Sequence, residues 1–146
     1  MPSLARNKRA FHEYDLLEKI EAGIELTGAE VKSAKLGQVS LKGTYVAVRA
    51  GEAWLIGAHV SAYKPAGSKT FYDPARTRRL LLKKSELQRL IGKTQSGLTI
   101  VPLSLYTKRG LVKVEIALAR GRKQFEKREA IRRREVQREI RSKVKS

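Results

Sequence analysis

The feature that most constrains this chain is its last quarter, where residues 120–146 offer almost nothing from which to build a core. Twelve of these 27 residues are Lys or Arg and four are Glu, a net charge of +8. The bulky apolar residues are Phe125, Ile131, Val136, Ile140 and Val144. Val136, Ile140 and Val144 recur every four residues and fall on one helical face. One narrow stripe does not offset the entropy of ordering so long a segment in water. Residues 121–146 are therefore expected to be a basic tail, disordered when free and helical only against an anionic partner. The folded domain must come from residues 1–120.

That domain is also basic. The 146-residue chain carries +18, so +10 remains on residues 1–119. Such a charge attracts nucleic acid or an anionic membrane surface and does not bear on fold. There is no cysteine, which excludes disulfides and Cys-ligated zinc. No apolar run approaches the roughly 20 residues of a membrane span and no secretory signal is evident, so a cytoplasmic location is expected.

Along the chain, residues 1–9 read as short, basic and poorly ordered. Tyr14, Leu16 and Ile20 share one side of a strand, which Ala22-Gly23 is expected to bend through a bulge before Ile24–Leu26. Thr27-Gly28-Ala29-Glu30 has capping-box spacing and opens a helix with Val31 and Ala34 inward, ended by Gly37. Residues 44–49 and 53–60 form a hairpin about Ala50-Gly51-Glu52, and residues 61–73 a loop. Ser85-Glu86-Leu87-Gln88 reads as a second capping box, for a helix burying Leu87, Leu90 and Ile91. Residues 98–106 and 111–118 make a closing hairpin with Val112, Val114, Ile116 and Leu118 inward; Pro102 belongs at an edge or bulge. Strands without βαβ alternation predict a mainly β fold: an OB-like closed antiparallel β-barrel with two to three short helices and the basic tail.

Few residues suggest chemistry. Gly92-Lys93-Thr94 lacks the earlier glycine of a phosphate loop, since position 87 is Leu, and reads as a helix end. His12 and His59 lie on separate predicted strands, so neither paired acid–base catalysis nor a metal site is expected. His12, beside Lys8 and Arg9, is either an RNA contact or an exposed strand-start histidine. Arg76, Arg78, Arg79, Lys83 and Lys84 are expected to meet RNA phosphates in preference to forming a merely solvated face. Leu80, Leu81 and Leu82 cannot all face inward, and an outward Leu beside arginines would pack on an unstacked base. Glu30 reads as a helix cap, and Glu21 as a solvated carboxylate or an acceptor from base or ribose. Phe125, alone among charges, suits stacking on a nucleobase. Competing readings are a structural ribosomal or RNA-chaperone protein, and a nuclease using His12.

Together these motifs resemble the SmpB family, the bacterial tmRNA-binding proteins. The resemblance is carried by Asn7-Lys8-Arg9-Ala10 with His12-Glu13-Tyr14, Glu21-Ala22-Gly23-Ile24, Leu26-Thr27-Gly28 and Glu30-Val31-Lys32-Ser33. It continues through Asp73-Pro74, Arg76, Arg78-Arg79-Leu80-Leu81-Leu82, Leu90-Ile91-Gly92-Lys93 and Ala119-Arg120-Gly121. It implies an OB-like barrel that binds the tRNA-like domain of tmRNA and delivers it to stalled 70S ribosomes. The tail would probe the decoding centre and empty mRNA channel, with elongation factor Tu and aminoacylated tmRNA as indirect partners. It implies no enzyme activity, no cofactor, no membrane and a monomer. By motif, Glu21, Leu81 and Lys113 match tmRNA-binding positions; Lys8, Arg9 and His12 belong to a block that looks like part of the same surface, and Arg76 and Arg78 are expected to contact the RNA as well. Gly121, Lys123, Phe125, Glu126, Lys127, Arg128, Arg132 and Arg133 match the ribosome-facing part. Phe125 stands where His or Tyr is usual, Glu126 where Asp is usual, and Phe11 where a basic residue is common, which removes one phosphate contact.

Overall fold

Alternating apolar residues and tight glycine turns make antiparallel strands the cheapest way for this chain to bury its hydrophobic side chains. The computed structural model describes residues 3–63 and 71–121; the expectations placed on the tail beyond Gly121 lie outside the described residues. The described fold is mainly β with three helices. In chain order these are β1 (Ser3–Arg6), α1 (Lys8–Glu13), β2 (Tyr14–Ile24), α2 (Gly28–Lys35), β3 (Val39–Ser40), β4 (Tyr45–Arg49) and β5 (Glu52–Ile56). There follow β6 (His59–Val60), β7 (Arg78–Leu81), α3 (Lys84–Gln95), β8 (Thr99–Lys108) and β9 (Leu111–Gly121). The main sheet has the order β1-β8-β4-β5-β7-β2-β9, and β8 also pairs with β9. Its interior is filled by side chains such as Leu55, Leu80, Leu90, Ile100, Val114 and Ile116.

Both expected hairpins form about two-residue turns. Ala50 and Gly51 have φ of 53° and 72°, and Arg109 and Gly110 have 53° and 77°. Two successive positive-φ residues match the right-handed twist of the flanking strands. The first hairpin is shorter than expected. Gly57, at φ 86°, ends β5, and a Cβ there would lie 3.3 Å from the Gly43 carbonyl. His59 and Val60 instead pair with β3 in a separate two-stranded sheet.

The N-terminal residues correct the sequence reading. Residues 3–9, expected to be poorly ordered, belong to β1 and the start of α1, because the second half of β9 is covered on both faces. Val114, Ile116 and Leu118 point into the main core, whereas Ala117 and Ala119 join Val101, Leu103 and Ala10 in a second cluster flanked by Phe11, Tyr14 and Leu16. Asn7 fastens the corner: its amide N–H donates to the Leu103 carbonyl at 2.8 Å and its Nδ2 to the Pro102 carbonyl at 2.9 Å.

The bulge in β2 is also displaced from its expected position. Register slips between Leu16 and Glu18, leaving Leu17 outward and 51% exposed, while Ala22 and Gly23 stay in the ladder. Glycine at 23 is needed there for close approach by Leu81, not for a bend. Pro102 does sit at a bulge, since the β8–β9 register shifts between Pro102 and Ser104. The second capping box starts earlier than expected. Lys83 is the cap residue of α3, and Glu86 accepts from its backbone N–H at 3.1 Å. A lysine ammonium accepts nothing in return, so only half of the box is made. Gly92-Lys93-Thr94 falls in the last turns of that helix.

Glu30 does more than cap α2. Its Oε1 accepts from the Thr27 amide at 2.9 Å while Thr27 Oγ1 accepts from the Glu30 amide at 3.2 Å. The same carboxylate receives Arg76 on Oε1 and Arg78 Nη2 on Oε2, the latter at 2.5 Å. Arg78 is fully buried, and its guanidinium also donates to the carbonyls of Ala58, Arg76 and Pro74. The expectation that Arg78 meets RNA phosphates is therefore corrected: every donor direction is turned inward. Burial pushes the Glu30 carboxyl up, but hydrogen bonds from Arg76, the Thr27 amide and Arg78 outweigh it and bring the group to about 2.

This depressed value links folding to pH. The stabilisation is complete above the ordinary carboxyl value of 4.5 and is lost as pH falls through about 2. Glu30→Gln should remove that acid-side dependence from urea unfolding measured between these limits. Arg78→Met removes the one fully buried cation paired with the Glu30 carboxylate, leaving Arg76 and the Thr27 amide, and should cost about 3 kcal/mol in the same measurement.

Candidate nucleic-acid interface

The sequence-predicted contact residues separate into two surfaces at opposite ends of β2. One gathers Glu21, Leu81 and Lys113. Gly23 is the junction: it pairs with Leu81 of β7 on one side and Lys113 of β9 on the other. Residues distant in sequence therefore meet on adjoining strands. Strand alternation does the aiming. Arg78 and Leu80 point inward, so Leu81 points out and is 45% exposed. A Cβ on Gly23 would lie 3.1 Å from the Leu81 Cβ, so the absence of a side chain at 23 lets Leu81 lie flat over β2. Leu81, Gly23, Leu111 and Lys113 line a shallow cleft of about 230 Å³, an apolar floor with a cation at its edge.

Glu21 lies next to this cleft, opposite Glu115 in the β2–β9 ladder. It is exposed but not loose. Tyr106 Oη, reaching from β8 across β9, donates to Glu21 Oε2 at 2.5 Å, and Lys108 Nζ lies 3.3 Å from Oε1. The Tyr106 hydrogen bond holds the Glu21 carboxyl below its ordinary value, with Lys108 adding to the effect. Burial and the same carboxylate raise the Tyr106 phenol. Sequence reasoning missed Tyr106 and Lys108. Half of the signal was present: a two-residue turn at 109–110 places Lys108 opposite Leu111 and Tyr106 opposite Lys113. The other half, the register of β2 on β9, involves chain segments too far apart to read locally.

The second surface is α1. Lys8, Arg9 and His12 are exposed, and His12 is in the last turn of a helix, not at a strand start. Arg9 Nε donates to Glu13 at 2.6 Å, one helical turn away. From Tyr14 to Gly23, β2 climbs about 3.3 Å per residue, roughly 30 Å of contour, so His12 is not brought to Glu21, Leu81 or Lys113. Gly121 pairs with Tyr14, placing the end of β9 at this α1 end of the fold. Arg76 is half-buried with its guanidinium turned to Glu30. His59 is exposed on β6, in the two-stranded sheet with β3, whereas His12 is on α1. Among the described residues no group of three or more His, Cys, Asp or Glu could hold a metal ion, and no helix is long and apolar enough to cross a membrane.

Shallow clefts, outward leucines, an anchored carboxylate and exposed cations on a twisted antiparallel sheet define a basic β-sheet binding protein. Within that class the chain belongs to the SmpB family, whose model, described as SmpB protein, matches residues 4–146. It is similar to the SsrA-binding protein of Nostoc punctiforme, with 51% identity over 144 residues, 98% of this chain and 93% of that one. It is likewise similar to the SsrA-binding protein of a Sulfurihydrogenibium species, with 53% identity over 138 residues covering 94% and 90%. A solved structure described as "tmRNA-SmpB: a journey to the center of the bacterial ribosome" superposes with a TM-score of 0.67 at 45% identity, covering 88% of this chain and 94% of that one.

The Glu21 anchor is directly testable. Tyr106→Phe removes the hydrogen bond that lowers the Glu21 carboxyl, so that carboxyl should titrate at higher pH by carbon-detected NMR. An unchanged titration would show that Tyr106 does not hold it.

Proposed function

We infer that this chain binds the tRNA-like domain of tmRNA and delivers it to stalled ribosomes for trans-translation. The observation that carries this reading is the family match over residues 4–146, joined by the likeness to SmpB with tmRNA on the ribosome. The geometry supports it. Glu21, Leu81 and Lys113 reach one outer patch about Gly23, where an apolar surface, a fixed acceptor and a cation suit an unstacked base, a ribose hydroxyl and a phosphate.

The remaining assignments follow from this reading. The sheet is an OB-like closed barrel; the pairing of β8 with both β4 and β9 supports closure. Residues 1–120 are the tmRNA-binding domain and 121–146 the ribosome-facing tail. Gly121, Lys123, Phe125, Glu126, Lys127 and Arg128 meet the decoding centre, with Phe125 stacking there. Arg132 and Arg133 follow the mRNA channel. Elongation factor Tu acts through aminoacylated tmRNA. The protein is a monomer in the cytoplasm and performs no chemical step of its own.

Truncation after Arg120 should retain binding to the tRNA-like domain and abolish tagging on stalled ribosomes; equal loss of both would defeat the division. At matched salt the chain should prefer that domain over duplex RNA, since salt sets the non-specific contribution. Phe125→Ala should leave RNA affinity nearly intact while tagging falls, and Phe125→Tyr should tag normally.

A further inference from the structure

Glu21 and Glu115 stand directly opposite each other in the β2–β9 ladder, and strand alternation turns both outward. Like charges in that position are destabilising. Glu13, Glu18, Glu25, Glu30 and Glu52 each meet an arginine. Among the described residues Glu115 has no ion-pair partner, so its charge is not neutralised. Lys113, two residues earlier on the same face of β9, also has none. Glu21 therefore stands between a repelling carboxylate and an unpaired cation. Were it to close on Lys113, the outer patch would lose an acceptor and a cation together. Tyr106 opposes that closure. It faces Lys113 across the β8–β9 ladder, and its phenol crosses β9 diagonally to donate to Glu21 Oε2 at 2.5 Å. The ion pair that Glu21 makes is with Lys108, at 3.3 Å, and not with Lys113. Burial, the Glu21 hydrogen bond and the charges of Glu21 and Glu115 all raise the phenol, so it stays a donor.

We propose that Tyr106 is a positioning residue for RNA binding: it holds Glu21 as a separate acceptor beside Lys113, against the repulsion of Glu115. The proposal rests on the tmRNA-binding reading of the Glu21, Leu81 and Lys113 patch and deepens it. Tyr106 acts through Glu21 and makes no contact with RNA of its own. An acceptor already in place needs no reorientation when a ribose hydroxyl or a base N–H arrives, so less affinity is lost to ordering. Lys113, kept out of an ion pair, retains its full charge for a phosphate. With phenylalanine at 106 the donor is gone, and Glu115 drives the Glu21 carboxylate onto Lys113.

Full-length Tyr106→Phe, Glu21→Gln, Tyr106→Phe/Glu21→Gln and Tyr106→Phe/Glu115→Gln chains, checked for folding by circular dichroism, are compared with the parent. Affinity for the tRNA-like domain of tmRNA is measured over a series of salt concentrations. Tyr106→Phe keeps the ring and removes the donor, and should weaken binding roughly fivefold. Its salt slope should fall by about 1, because Lys113 is taken up by Glu21. In the Glu21→Gln background the same change should cost nothing further, since there is no carboxylate left to hold. Glu115→Gln removes the opposing charge and supplies an amide N–H to Glu21, so it should return most of the affinity that Tyr106→Phe loses. A merely structural Tyr106 would show neither the missing additivity nor the rescue. If Tyr106→Phe binds like the parent while Glu21→Gln is impaired, the positioning role is refuted. It is refuted equally by a loss that adds in full to that of Glu21→Gln, or that Glu115→Gln leaves untouched. If Glu21→Gln itself binds like the parent, the RNA-binding reading of this patch fails, and the proposal with it.

Discussion

The buried contact between Glu30 and Arg78 sets the geometry on which the outer surface depends. It joins the first turn of α2 to the first residue of β7, and through the other Arg78 donors it collects the carbonyls of Ala58 and Pro74. A buried guanidinium needs every donor satisfied, so β7 has one workable register. A one-residue slip would expose Arg78 and Leu80 and bury Arg79 and Leu81. The same charge pair that anchors β7 therefore also turns Leu81 toward solvent over Gly23. Polar interactions inside the fold decide which apolar side chain stands outside it.

β9 is the second organising element. It pairs with β2 along nearly its whole length and with β8 through the closing hairpin. Each partner carries a bulge, at Leu17 and at Leu103, where one extra residue is accommodated and local twist increases. Because β2, β9 and β8 are neighbours, Tyr106 spans β9 to reach Glu21, and Lys113 lies between them. The β2–β9 ladder also separates two surfaces. The Leu81 patch lies at one end, whereas α1 and Gly121 lie at the other.

Much of this was legible locally. The Thr27–Glu30 cap, both hairpin turns, the inward face of Val112 to Leu118 and an outward member of the leucine triplet follow from rules acting over a few residues. What failed shares one cause. Arg78 reads as a surface cation because its partner lies 48 positions away. Ala117 and Ala119 occupy outward positions of β9 and would be solvent-facing without α1. Residues 3–9 look unstructured until the face that β1 and α1 cover exists. Gly23 reads locally as a bulge, although it serves close approach by Leu81 and the bulge lies at Leu17.

The sequence by itself determined that this is a basic, cysteine-free β protein whose last 27 residues carry +8 and few bulky apolar side chains, and its motif blocks determined the family. Charge balance, strand alternation and turn chemistry are local quantities and survive in any fold of the chain. Tertiary structure alone decided which charges are spent inside and which remain outside. Glu30 takes up Arg76 and Arg78, Tyr106 takes up Glu21, and Phe11 supports Arg6. The charge-rich last quarter is plain in the sequence, but only strand register determines what the core of the described residues leaves facing outward: side chains far apart in sequence become neighbours once the ladders close.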